Sequence, residues 1–373
     1  MATTMATSEP WRVGVLFSRT GVTAVIEETQ LQGTILAIDE INSAGGINGR
    51  ELVPIIYDPG SENRRFAALA DRLLAEDGVT TIFGCYTSSS RKAVLPVLER
   101  RNGLLWYPTL YEGFEYSPNV IYTGAVPNQN SVELFDFLLH NFGLRLYLVG
   151  SDYIYPRESN RIMRELLRQH SGEVVGERYV DLHAPPVEFK LLMRDIRNKR
   201  PDAIFSTVVG QGTAYLYQAY AEAGFDPLTM PIGSLTTSEA EVRLMGFDVA
   251  SGHLTVAPYF EGVAGTGSET FAAQYKRRFG NDQCTNFCVE AAYFQVHIFA
   301  RALAATGSMD VDVLRPFVYG SEFEAPQGRI AIDADTSHTS VWSRIGRANA
   351  RGWFDIIKES HRPVRPDPYL VCH

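Results

Sequence analysis

Along the first two thirds of the chain, short apolar runs alternate with longer amphipathic segments. Residues 11–17, 51–58, 82–85 and 104–106 are mainly apolar runs, too short for buried helices, and they predict strands. Between them, residues 25–41, 62–75 and 89–101 carry apolar positions at helical spacing. The first of these places Ile35, Ile38 and Ile41 among the spaced positions and stops at Gly45-Gly46, as helices commonly do. The order βαβαβαβ predicts a parallel sheet with right-handed crossovers. After residues 119–124 the rhythm resumes, with helices predicted over 127–141, 157–170, 187–199 and 213–223. Strands are predicted over 145–150, 174–181, 203–209 and 231–235, the last running into Thr236-Thr237-Ser238-Glu239, a helix-cap pattern. An extended run from 252 to 260 breaks the rhythm. Three helical patterns follow at 269–278, 289–305 and 311–319, then β-rich segments at 328–333, 341–348 and 352–358.

The repetition predicts an α/β chain of two lobes, each a mainly parallel sheet flanked by helices. At 373 residues the chain exceeds what one core usually supports. The expected division is 11–124 with 259–330 for the N-terminal lobe and 125–258 with 331–373 for the C-terminal lobe. The chain then crosses between lobes near 124, 258 and 330, and several crossings make a hinge that closes like a jaw, with the ligand cleft inside it.

Composition narrows the function. With 45% hydrophobic and 21% charged residues the chain is ordinarily globular, and a net charge of -9 argues against direct nucleic-acid binding, which draws its free energy from neutralising phosphates. Residues 1–10 lack the basic start and apolar core of a secretion signal, and no run is long enough to span a bilayer, so the expected location is cytoplasmic, or periplasmic if a signal has been removed. Cys85, Cys284, Cys288 and Cys372 show no disulfide-scaffold spacing and are expected to be free, mostly buried thiols.

No catalyst emerges. Thr87-Ser88-Ser89-Ser90-Arg91-Lys92 superficially resembles the Ser, Ser and Lys of one amidase class, but no glycine after Gly84 builds an oxyanion turn, so Ser88 to Ser90 are expected to cap the next helix. No His pair has metal-ligand spacing, and neither a phosphate loop nor a dinucleotide fingerprint is present. What recurs at strand ends is hydroxyls, Ser88, Thr109, Thr207 and Thr236, among the aromatic rings of Tyr86, Tyr107, Tyr153 and Tyr155. Open α/β sheets bind ligands at those ends. The lining suits a small, neutral, planar ligand with both donor and acceptor groups. Asp152, the nearest charged candidate, is expected to face the hinge.

The blocks Gly84-Cys85-Tyr86-Thr87-Ser88, Tyr107-Pro108-Thr109, Tyr111 to Asn119, Pro127-Asn128-Gln129-Asn130, Gly150 to Asn160, Phe205 to Gly210 and Ser234 to Glu241 carry a resemblance. In order and wording they resemble the AmiC-type amide receptors, negative regulators of aliphatic amidase operons, over nearly the whole chain. The resemblance implies a type I periplasmic-binding-protein fold used as a sensor of short amides. It implies a partner too, an RNA-binding antiterminator of the AmiR type, held silent until amide binds. By motif, Ser88, Thr109 and Tyr153 would hydrogen-bond the amide and Tyr86, Tyr107 and Thr236 would shape the pocket, with Tyr155 and Thr207 as secondary contacts. The receptor pattern has proline where this chain has Leu110, which bears on the acyl length tolerated. Thr87-Ser88 and Tyr122-Thr123-Gly124-Ala125 also resemble urea-binding components of ABC importers, which usually carry tryptophan at the position of Tyr86. Urea is therefore a second ligand, and substrate delivery to a transporter the alternative role. No enzyme activity, cofactor or metal is implied, and a homo-oligomer is compatible with all of this.

Overall fold

The computed structural model describes residues 9–265 and 267–371. In chain order the first half runs β1 (Trp11–Leu16), α1 (Ala24–Ser43), β2 (Leu52–Tyr57), α2 (Asn63–Ala75), β3 (Thr81–Gly84), α3 (Ser88–Arg101), β4 (Leu104–Tyr107) and β5 (Val120–Tyr122). After a single 3-10 turn, Pro127–Gln129, come α4 (Ser131–Asn141), β6 (Arg145–Ser151), α5 (Ile154–Gln169), β7 (Glu173–Val180), α6 (Pro186–Lys199) and β8 (Ala203–Thr207). These lead to α7 (Gln211–Glu222), β9 (Ile232–Ser234), α8 (Glu239–Met245), α9 (Phe247–Ala250) and β10 (Leu254–Ala257). The rest is α10 (Ser268–Phe279), α11 (Phe287–Thr306), α12 (Val311–Val318), β11 (Glu322–Ala325), β12 (Gly328–Ile332), β13 (Thr339–Ser340), β14 (Arg344–Ala348) and β15 (Phe354–Glu359).

One sheet has the order β2-β1-β3-β4-β5 and is parallel throughout. The other has the order β15-β14-β10-β9-β8-β6-β7. Its strands β7 to β10 are parallel, and β14 and β15 extend it antiparallel. A small antiparallel sheet, β11-β12-β13, lies between, and the bridge from His338 to Tyr122 ties it to β5. This is the two-lobed α/β architecture the alternating pattern predicts. The single predicted helix over 127–141 is broken at Asn130, whose side chain accepts from the Ser131 amide and starts α4 anew. The short elements β5, α9 and β11 were not predicted.

Helix α11 is apolar nearly all round and is buried between α1 and the small sheet, so it serves as core rather than surface. Buried Arg344 locks the crossings: it donates to Gln327 O at 2.9 Å, to the Pro258 carbonyl, and to Glu359 at 2.7 Å. Gln327 in turn donates to Glu290 Oε2 at 2.8 Å. Beside it, His338 stacks on Tyr122 with centroids 4.2 Å apart and accepts from the Tyr111 hydroxyl at 2.5 Å. The segments at Pro258 and Gln327 are thus held by polar contacts to Arg344.

Cys85, Cys284 and Cys288 are free and buried, and Cys372 lies outside the described residues. Among the described residues, no helix is long and apolar enough to cross a membrane and no group of three or more His, Cys, Asp or Glu could hold a metal ion.

Candidate functional site

Each large sheet has one place where strand order reverses, between β1 and β3 in the first and between β6 and β8 in the second. Crevices form at the carboxyl ends of strands flanking such a point. Tyr86 and Ser88 follow β3, Thr109 follows β4, Tyr153 follows β6 and Thr207 ends β8, so the predicted residues fall at the two crevices. The exit from β3 is sharp. Cys85 adopts φ 68°, a left-handed backbone costly for a residue with a side chain, while its amide donates to Leu16 O at 3.0 Å. That turn swings Tyr86 out of the sheet and toward the second lobe.

The two crevices face one another and are closed. Tyr86 and Leu110 of the first lobe are buried in the same apolar cluster as Tyr155, Leu235 and the second-lobe core. Helix α3 packs on α5 and α1 on α8. At Gly210, φ is 64° and any Cβ would press on the Val22 carbonyl, so glycine alone lets the β8–α7 turn seat against the first lobe. Between the lobes, beside the crossings, a cavity of about 10 Å3 is lined by Pro108, Leu110, Leu235, Pro258 and Phe287, room for at most one water.

On the first-lobe side, Thr87 caps α3, its side chain accepting from the Ser90 amide at 3.0 Å. The cap predicted over Ser88 to Ser90 is therefore one residue earlier, and Ser88 is released from that duty. The Ser88 hydroxyl donates instead to Glu112 Oε2 and accepts from Arg91 Nη1 at 3.3 Å. Arg91, fully buried, also pairs with Glu112 at 3.2 Å and with Glu115 at 2.6 Å, and stacks over Tyr107 and Tyr111. Burial opposes ionisation of Glu115, yet Arg91 and Lys92 outweigh it and hold its pKa down to about 2. Tyr107 donates to the Tyr86 carbonyl at 2.6 Å. Thr109 Oγ1 accepts from Gln30 Nε2 at 2.9 Å and reaches the Cys85 carbonyl only at 3.5 Å.

On the second-lobe side, Tyr153 is half-buried and Tyr155 fully so. Burial raises the Tyr153 hydroxyl's pKa, reinforced by Tyr155 and, from the opposite lobe, by Tyr107 and Glu112. Among the described residues the Tyr155 hydroxyl and Thr207 Oγ1 meet no hydrogen-bond partner in good geometry, although Ser159 is near the former. Thr236 is committed, donating to the Val208 carbonyl at 2.7 Å. Ser238 caps α8 with Glu241 completing the box, as the pattern predicts. Asp152 does not reach the hinge. It is exposed and pairs with Arg157 at 2.7 Å, because β6 ends one residue before it and turns it outward.

Four contributors escaped the sequence reading: Gln30, Arg91, Glu112 and Glu115. Gln30 sits on α1 and meets Thr109 only through the fold. Arg91 and Glu115 read as ordinary charged positions. Glu112, like Glu115, lies inside the Tyr111 to Asn119 block and carries no signal of its own there.

A family model described as a periplasmic binding protein domain matches residues 11–373. The leucine-, isoleucine-, valine-, threonine- and alanine-binding protein of Pseudomonas aeruginosa is 23% identical over 84% of this chain and 83% of its own. A solute-binding protein of an ABC transporter from Rhodopseudomonas palustris HaA2, solved with p-hydroxybenzoic acid, superposes with a TM-score of 0.88 at 19% identity, covering 98% of this chain and 100% of that one. A protein named limonene hydroxylase from Geobacillus stearothermophilus is 29% identical over 34% of this chain, a stretch that spans only 23% of that protein. The chain belongs to the periplasmic-binding-protein family.

Proposed function

We propose that the protein is a receptor that closes its two lobes on a small neutral ligand of the amide or urea class and serves as the substrate-binding component of an ABC importer. One observation carries the choice of ligand. The charges beside Ser88 cancel within the protein, Arg91 and Lys92 balancing Glu112 and Glu115 through pairs at 3.2, 2.6 and 2.7 Å, so none is left over for an ionised ligand. A carboxylate brought into such a site would be desolvated without a partner. The importer role is supported by the relatives, which are named as amino-acid-binding and solute-binding proteins.

In this reading Ser88, Thr109 and Tyr153 hydrogen-bond the ligand. Tyr86, Tyr107, Leu110 and Thr236 shape the pocket, and Tyr155 and Thr207 contribute from the second lobe. The lobes divide as residues 11–124 with 259–330 and 125–258 with 331–373. The sheet connectivity supports that division: β14 and β15 return to the second sheet after the crossings, and β12 packs with the core of the first lobe. A second reading keeps the same site but changes the output to control of an RNA-binding antiterminator. The blocks from Gly84 to Ser88, Tyr111 to Asn119 and Gly150 to Asn160 favour it.

Acetamide and urea have about four heavy atoms, and at roughly 1.5 kcal/mol per atom their binding is bounded near 6 kcal/mol, a Kd on the order of tens of micromolar. Calorimetry with acetamide, butyramide, urea, p-hydroxybenzoate and leucine tests the reading. A preference for an amide or urea is expected, and binding of only the ionised ligands would refute it. Capture of an antiterminator by the amide-free protein, and its loss on adding amide, would favour regulation over transport.

A further inference from the structure

We infer that Glu112 and Gln30 are positioning residues that give Ser88 and Thr109 opposite hydrogen-bonding polarity, so that the site reads a primary amide, an N–H beside a C=O, and rejects the matching carboxylate. The inference rests on the proposed cleft being the ligand site.

A hydroxyl carries one donor and two acceptor sites, and which of them it offers depends on what its neighbours have taken. Ser88 gives its proton to Glu112, an ionisable carboxylate held in place by Arg91. The Tyr107 hydroxyl is also beside Ser88, but a charged acceptor outcompetes a phenol. Arg91 occupies one Ser88 lone pair at 3.3 Å. One lone pair remains, so toward a ligand Ser88 is an acceptor only.

Thr109 is the converse. Gln30 Nε2 donates to it at 2.9 Å and to the Pro108 carbonyl at 3.2 Å. The Pro108 carbonyl also fixes which way the Gln30 amide points, since turning it over would set two carbonyl oxygens against each other. With a lone pair taken and its proton only loosely held by the Cys85 carbonyl at 3.5 Å, Thr109 offers a donor. A primary amide satisfies both at once, its N–H on Ser88 and its C=O on Thr109. A carboxylate meets Ser88 lone pair to lone pair, with the Glu112 charge behind it.

The test is calorimetry of acetamide and acetate at pH 7.5 on the full chain and on Glu112→Gln, which can turn its amide N–H toward Ser88 and free the Ser88 proton. Acetamide affinity should fall at least tenfold, and the acetamide-to-acetate preference should collapse by at least as much. Gln30→Glu, which leaves Arg91 and its ion pairs intact, should also cost acetamide at least tenfold, because its carboxylate takes the Thr109 proton. An unchanged preference in a folded Glu112→Gln protein, or full acetamide affinity in Gln30→Glu, overturns the inference while leaving the amide reading standing. If the unaltered protein binds neither acetamide nor urea, the proposed function itself falls, and this inference with it.

Discussion

Leu110 is 7% exposed and lines the same small cavity as Leu235 and Phe287, and in the proposed site it would face the acyl end of an amide. Replacing it by alanine enlarges that cavity at a cost of about 2 to 4 kcal/mol in stability. The same space can be refilled by ligand, and each methylene buried contributes ~0.8 kcal/mol, about fourfold in affinity. Leu110→Ala should therefore raise the affinity of butyramide relative to acetamide by on the order of tenfold in calorimetry. A ratio that does not move would remove Leu110 from ligand selection. Strand-end residues such as Tyr86, Ser88, Tyr107 and Thr109 were legible because an apolar run that stops at a hydroxyl marks a sheet edge. Gln30 was not, since its meeting with Thr109 joins positions 79 apart and leaves no local pattern. Glu112 was hidden for a related reason: nothing in a loop's composition says that its carboxylate turns inward to an arginine on α3.

Elements carry the next level of control. Helix α3 begins at Thr87, whose side chain satisfies the Ser90 amide, so Thr87→Ala should cost about 1 kcal/mol in urea or thermal unfolding. Ser89→Ala should stay within about 0.5 kcal/mol, and the reverse order would return the cap to the serines. The N-terminus of α7 tests closure instead. Gly210→Ala combines an unfavourable left-handed backbone with a Cβ pressed on the Val22 carbonyl, so the jaws cannot seat fully. Ligand affinity should fall tenfold or more in a protein that still unfolds cooperatively, and unchanged affinity would show that this contact is not part of the bound state. Long helices and mid-sheet strands were legible from periodicity alone. The break at Asn130 and the short strands β5 and β11 were not, because their form is decided by partners elsewhere, Arg365 and Thr339 for the turn before α4 and Gly328–Ile332 for β11.

At the scale of the whole molecule, several ionisable groups are buried, and their signs set how stability responds to pH. Burial raises Glu27 and Glu241 to about 7 and Glu239 and Glu290 to about 8, from 4.5, with their hydrogen bonds only partly opposing it. Each is held protonated in the folded chain, so its contribution is full below pH 4.5 and is lost as pH rises through 7 to 8. Two histidines act in the other direction. Burial lowers His338 to about 4 and His253 to about 3, from 6.5, so their contribution is present above 6.5 and lost as pH falls through those values. Glu115, lowered to about 2, adds to the loss on the acid side. Between pH 4.5 and 6.5 the four carboxyls outweigh the two histidines, so stability should peak near pH 4.5 and decline toward alkaline pH, a response that net charge alone would not reveal. Thermal unfolding should show Tm higher at about pH 6 than at about pH 8.5 by about 5 °C or more, since each kcal/mol moves Tm by ~2 °C in a chain of this size. Glu290→Gln, which keeps a group able to accept from Gln327 but cannot ionise, should flatten that alkaline decline and leave the acid limb in place. A Tm that holds level or climbs from pH 6 to 8.5 would mean that these carboxylates are ionised in the folded chain and accept their hydrogen bonds as charged groups.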